Sequence, residues 1–298
     1  MKKFIFKIII IFTIVAIFDY FFGVVMGHVV NNINVGGQWR DNYICNVAEE
    51  DILVFGSSRA VHHYNSTILE DSLGMSCYNC GEEANGFILS YGRLLMALER
   101  HCPKVIIQDI TAEFDLHKND NHKYLGWLKT RYERAGVSEI FDAIDKTESY
   151  KMKSQMYRYN SKFLQNIFVY LTSVSTDMGI KGYRPINEPF DSMKIVKTEK
   201  PDDKEIDSLK IEFIHRYLEL AQNSKIYFVV SPIWYGMDSE EIAPIAQICK
   251  ERNIPLFDFS NNPKYVHNDE YFKDGTHLNA FGADEFTKDL IKEIKSLQ

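Results

Sequence analysis

Cysteine is scarce in this chain and positive charge is in deficit, and each shortage excludes a class of function. Among 298 residues, 34 are Lys or Arg and 41 are Asp or Glu, for a formal net charge of -7. With this net charge and no Arg/Lys-rich motif, nucleic acid is not an expected partner. The five cysteines do not form a disulfide framework. Cys77 and Cys80 have C-x-x-C spacing, but residues 76–81 read as a strand. Three residues along a strand separate the Cα atoms by about 10 Å, too far for a bridge. His62, His63, His117 and His122 lack the spacing of a zinc site, so no metal or cofactor is expected. What remains is ordinary globular composition, 45% hydrophobic and 25% charged, enough for one large domain or two small ones.

The N-terminus departs from that composition. Lys2, Lys3 and Lys7 precede and punctuate an apolar run from Phe4 to Met26, long enough to cross the roughly 30 Å hydrocarbon layer. Asp19 weakens this reading, because a central carboxylate costs roughly 2.5–3.5 kcal/mol on insertion scales. It lies toward the far end, where the penalty is smaller. No small-x-small cleavage site follows the run, which favours an uncleaved anchor over a signal peptide. The lysines place the N-terminus inside and the rest of the chain outside. The expected layout is an anchor at 1–30, a linker at 31–47 and a domain at 48–298.

Within that domain strand and helix signals alternate. Ile52–Phe55 is a continuous apolar run, as a strand buried on both faces should be. Strands are also expected at 76–80, 105–110, 226–230 and 255–257, with helices at 67–73, 86–100, 207–222, 240–252 and 280–297. Residues 115–200 break the rhythm and read as a helical insertion, with helices at 125–128, 140–144 and 163–171 and a loop at 188–205. That insertion is expected to present a solvated basic face, or else to cap a site or meet a partner or membrane. Alternation of this kind predicts an α/β fold, a parallel sheet with helices on both faces. Ligands in such sheets bind beyond the carboxyl ends of the strands.

Two segments stand out at such ends. Asp51-Ile-Leu-Val-Phe-Gly-Ser-Ser-Arg-Ala60 is a strand running into a turn that presents Ser58. Asp274-Gly-Thr-His277 puts a carboxylate and an imidazole on one short turn. Serine, histidine and aspartate are the parts of a nucleophilic hydrolase or acyltransferase. Alone, the first segment reads more simply as a serine capping a helix, and the second as a turn with a surface histidine.

Taken together and in order, the segments resemble the SGNH (GDSL-like) hydrolase superfamily. Its first block appears as Gly56-Ser57-Ser58, its middle glycine as Gly81 in Tyr78-Asn79-Cys80-Gly81, and its last block as Asp274-Gly275-Thr276-His277. The resemblance implies a flavodoxin-like three-layer fold, with Ser58 as nucleophile, His277 as base and Asp274 as its orienter. It also implies an oxyanion hole from the N–H groups of Ser58 and Gly81. The family's third block, Gly-x-Asn-Asp, is missing: the region reads Gln108-Asp-Ile-Thr-Ala-Glu113. Asn85 is the substitute donor near the second block. Gly-Ser-Ser together with an N-terminal span is similar to envelope proteins that move or remove acyl groups on polysaccharides, often beside a membrane-bound O-acyltransferase. The function implied is a membrane-anchored serine esterase or O-acyltransferase, most simply for acetyl, with an acylated glycan or acyl donor as substrate. The alternative is a catalytically silent scaffold or glycan-binding partner of such an acyltransferase.

Overall fold

In the computed structural model, residues 1–175, 179–194 and 205–297 are described. The chain divides into two compact units, one of Met1–Tyr43 with Leu125–Met178, the other of Ile44–Tyr124 with Gly179–Gln298.

The chain begins with helix α1 (Lys2–Asn31) and helix α2 (Gly36–Asn46). The second replaces the linker expected at 31–47. Its apolar residues follow no helical stripe, so periodicity does not reveal it. There follow β1 (Ile52–Phe55), α3 (Ser58–His63), α4 (Ser66–Leu73), β2 (Cys77–Asn79), α5 (Phe87–Leu98), β3 (Val105–Asp109) and α6 (Ala112–Asp115). The helical stretch then runs through α7 (Val137–Ile144), α8 (Lys146–Lys151), α9 (Gln155–Tyr159) and α10 (Phe163–Thr172). The helix expected at 125–128 is instead the junction of two 3-10 turns, Asn121–Leu125 and Lys129–Arg131. Of the loop expected at 188–205, residues 195–204 lie outside the described residues. The last elements are α11 (Ser208–Leu220), β4 (Lys225–Val230), α12 (Ala243–Arg252), β5 (Leu256–Asp258) and α13 (Ala280–Ser296).

The five strands form one parallel sheet in the order β2-β1-β3-β4-β5. Every residue of β1 and β3 is buried, as helices on both faces require. Side chains alternate between those faces. Ile52 and Val54 join Val105, Ile107, Tyr227 and Val229 in a core with Ala60 of α3, Tyr64 just after it, Leu69 of α4, and Phe286 and Leu290 of α13. On the opposite face Phe55 meets Tyr217 of α11, which in turn packs on Phe87 of α5. The α/β expectation therefore holds. The chain leaves β1 toward β2 on one side and later returns through β3 on the other, so the crevice of the sheet opens where β1 and β3 end. None of the five cysteines forms a disulfide among the described residues.

The other unit is helical, and α1 is part of its core. Met26, Val29 and Ile33 are buried against Phe22, Tyr159, Phe163, Ile167 and Tyr170. Among the described residues α1 is the one helix long and apolar enough to cross a membrane.

Candidate active site

The turn after β1 is shaped by a glycine no other residue replaces. Gly56 has φ +141°, and a Cβ there would sit 2.9 Å from both Ala60 Cβ and Asp109 Cβ, closer than side-chain atoms pack and in a backbone region only glycine adopts freely. The chain thus enters α3 at once, with Ser58 as its first residue. Ser57, in the capping position, makes no cap bond. Its Oγ lies 2.7 Å from Thr111 Oγ1, beyond the end of β3.

Ser58 Oγ lies 2.9 Å from His277 Nε2. His277 Nδ1 lies 3.0 and 3.1 Å from the two Asp274 oxygens. The structure thus brings together the three residues the sequence singled out, with the histidine between the serine and the aspartate. The loop holds itself in shape, since Asp274 Oδ1 also accepts the N–H groups of Thr276 and His277, each at 2.9 Å. Burial works against a charge on Asp274, but the bond from His277 and those two amides outweigh it and hold the carboxyl well below the usual range. A fixed carboxylate on Nδ1 sets the ring's tautomer and leaves Nε2 to accept the serine proton.

Behind this trio is a buried polar layer that motif reading missed. Asp109 accepts the Tyr64 hydroxyl at 2.7 Å and the Ser231 N–H at 3.3 Å, and pairs with Arg59 at 3.5 Å. Arg59 also donates to the Ile110 carbonyl. Burial pushes Asp109 up, against the opposing pull of Arg59 and the hydroxyl donors. Nearer the surface, His62 faces an acceptor on each ring nitrogen, the Arg184 carbonyl at 2.7 Å and Glu83 Oε1 at 2.8 Å. Both bonds form together only when the ring carries both protons. Arg184 reaches the same Glu83 oxygen at 2.8 Å, and the His62 ring lies 5.8 Å from that of His277. No local pattern in the sequence joins 62, 83 and 184, which lie on separate segments.

The oxyanion donors fare differently. The Gly81 N–H points at the Asn79 side chain and donates to its Oδ1 at 3.0 Å. Asn79 in turn donates to the carbonyls of Ala60 and Tyr64 at 2.6 and 3.2 Å. The amide assigned to an oxyanion is thus used to lock the second block onto α3. Asn85 is buried, and one N–H of its Nδ2 donates to the Glu83 carbonyl at 2.7 Å. Ser58 is the first residue of α3, and the N–H groups of a first helical turn have no partner within the helix.

No protein-family model matches the sequence, and no curated protein matches it. Solved structures similar to the chain include one from Bacteroides fragilis described provisionally as an acylhydrolase, 12% identical over 89% of this chain and 97% of the other, TM-score 0.42. A GDSL-like lipase, also provisional, from Parabacteroides merdae is 12% identical over 85% and 99%, TM-score 0.39. A provisionally lipolytic protein of the G-D-S-L family from Desulfitobacterium hafniense is 10% identical over 81% and 98%, TM-score 0.37. At TM-scores below 0.5 these likenesses assign no activity to the chain.

Proposed function

We propose that the protein is a serine esterase or O-acyltransferase that works through an acyl-serine intermediate. One observation carries this reading: Ser58 Oγ, His277 and Asp274 stand in hydrogen-bonded sequence at 2.9 and 3.0 Å, at the carboxyl end of a parallel sheet. In the reaction, His277 Nε2 takes the Ser58 proton as Oγ attacks an ester carbonyl. The tetrahedral oxyanion collapses, the alcohol leaves with the proton from His277, and the acyl group stays on Ser58. Water or a sugar hydroxyl then reverses these steps. Hydrolysis and transfer share the first half, so the acceptor decides between them.

The finer parts of the proposal have separate supports. Retention of α1 as an anchor is supported by its role in a core, since cleavage after the apolar run would remove Phe22 and Met26 from that packing. Lys2, Lys3 and Lys7 support an extracytoplasmic domain. An envelope polysaccharide as substrate, and a membrane-bound O-acyltransferase as partner, are supported by the Gly-Ser-Ser block beside an N-terminal span.

A second reading has its own observation. With the Gly81 N–H and one N–H of Asn85 bonded within the second block, fewer donors are left for an oxyanion, which suits a silent scaffold or a site completed by a partner. Loss of one such donor typically lowers the rate by about 10²–10³. The test uses the full chain in detergent micelles, with a fluorophosphonate probe and p-nitrophenyl acetate, beside Ser58→Ala and His277→Ala. Labelling and turnover in the wild type, lost in both variants, are expected. A folded wild type that neither labels nor turns over would defeat the enzymatic reading for the isolated chain.

A further inference from the structure

Helix α1 carries two features that a plain membrane span does not need, a carboxylate and two glycines one turn apart. Both face α9. Asp19 accepts the Ser154 hydroxyl at 2.7 Å and the N–H groups of Gln155 and Met156, each at 2.8 Å. A Cβ on Gly23 would lie 2.5 Å from Gln155 Cγ, and one on Gly27 would lie 3.3 Å from the Tyr159 hydroxyl. The glycines leave room on α1 for the Gln155 and Tyr159 side chains of α9. Further along, Phe22 meets Phe163 edge-on at 6.2 Å, and His28 meets Tyr170 at 5.9 Å. Helix α10 therefore runs beside the last third of α1, in the same direction.

That packing uses only the inner face of α10. Its outer face exposes Leu164, Phe168 and Leu171, at 69%, 58% and 73%. Their spacing of four and three places them on one stripe. Level with the start of this stripe, α1 exposes Phe21, Val24 and Val25. The stripe thus continues, along the chain axis, the apolar surface that α1 presents from Phe4 to Val25. At 1.5 Å per residue, the stretch from Phe4 to Val25 is about 33 Å long, close to the roughly 30 Å of a hydrocarbon core. Leu164 and Phe168 then fall at its far boundary, where amphipathic helices bury one face.

We propose that the outer face of α10 is a second lipid contact, seated at the bilayer boundary beside α1. This rests on reading α1 as a retained anchor. Lipid is the occupant because the stripe is continuous with a surface whose own occupant is lipid.

The experiment places an environment-sensitive fluorophore on Phe168→Cys, on Leu171→Cys and, as a control, on Lys250→Cys, exposed on α12. Each is made in the full chain with Cys102→Ser and reconstituted into phosphatidylcholine vesicles. Vesicles containing doxyl-labelled phosphatidylcholine should quench the labels at 168 and 171 and leave the label at 250 unchanged. A chain that washes off the vesicles in carbonate would overturn the anchor reading and this inference with it. A chain that stays on the vesicles with unquenched labels at 168 and 171 would overturn this inference alone. Shielding of the two sites in native membranes but not in vesicles would also overturn it, in favour of a protein covering the face.

Discussion

Nε2 of His63 accepts the backbone N–H of Leu278 at 3.0 Å. His63 lies at the end of the short helix that begins with Ser58, and Leu278 follows His277, so this bond ties the helix of Ser58 to the loop of His277. The other ring nitrogen lies 2.9 Å from Ser231 Oγ, whose N–H bonds to Asp109. Since Nε2 accepts, the proton belongs on Nδ1 and the ring is neutral. Burial first, then the charges of His277, Arg59 and His62, hold its pKa well below the ordinary histidine value.

His63 is accordingly a positioning residue, and replacing it should separate stability from activity. In His63→Leu the buried N–H of Leu278 loses its acceptor, which costs about 1–3 kcal/mol. In His63→Gln the side-chain carbonyl can still accept that N–H. Turnover of p-nitrophenyl acetate should fall in the leucine variant by more than its loss of Tm explains, and return substantially in the glutamine variant. Equal activity in both, at matched folded fraction, would show that the tie is structural only.

Asp274→Asn keeps a side-chain oxygen for the Thr276 and His277 amides but removes the charge that steadies a protonated His277. By analogy with triads in general, kcat should fall by about 10⁴ with little change in fold. The check is steady-state kinetics beside circular dichroism. Retention of a large part of wild-type kcat would mean that Asp274 only shapes the loop.

Asp115 predicts a pH dependence of stability. It is buried and accepts the N–H groups of Thr111 and Phe87, at 2.7 and 3.0 Å. Burial outweighs those donors and pushes its pKa up to about 7. A raised carboxyl holds its proton more tightly folded than unfolded, so its contribution is greatest at low pH and is lost as pH rises from about 4 through 7. Lys210, pushed down to about 8 by burial, acts mainly above that window. Urea midpoints measured between pH 5 and 7 should therefore decline more steeply in the wild type than in Asp115→Asn. Parallel slopes would place the proton elsewhere.

How much of this was legible depends on the range over which each residue acts. β1 announced itself because four consecutive apolar residues report burial on both faces without reference to anything distant. Ser58 and His277 were legible for a different reason, each sitting on a short segment whose local turn chemistry is recognisable. Their pairing at 2.9 Å came only with the fold, which closes a gap of 219 residues. The expected Gly81 donor failed on a neighbour two residues away, because nothing in Tyr78-Asn79-Cys80-Gly81 shows which way the Asn79 side chain turns. His63, Asp109 and Arg59 were illegible as a group, because a buried polar layer has no period and no spacing.

Asp19 was read from the sequence as a mild defect in a membrane span, and the structure gives it a use. Two opposite effects follow for Asp19→Leu. Removing a carboxylate from an apolar helix should make insertion as good as or better than the wild type. Removing the acceptor orphans the Ser154 hydroxyl and the Gln155 and Met156 amides, at about 1–3 kcal/mol for each donor that water does not reach. Asp19→Asn retains one accepting oxygen and should fall between. Limited trypsin digestion of the full chain in vesicles reads the outcome at Lys153 and Arg158, which flank and occupy α9. Cleavage there should rise in the order wild type, Asp19→Asn, Asp19→Leu, while membrane retention stays constant or improves. If leucine instead protects these sites, the apolar contact along Gly23 and Gly27 holds α9 by itself, and the carboxylate is a tolerated cost of the span.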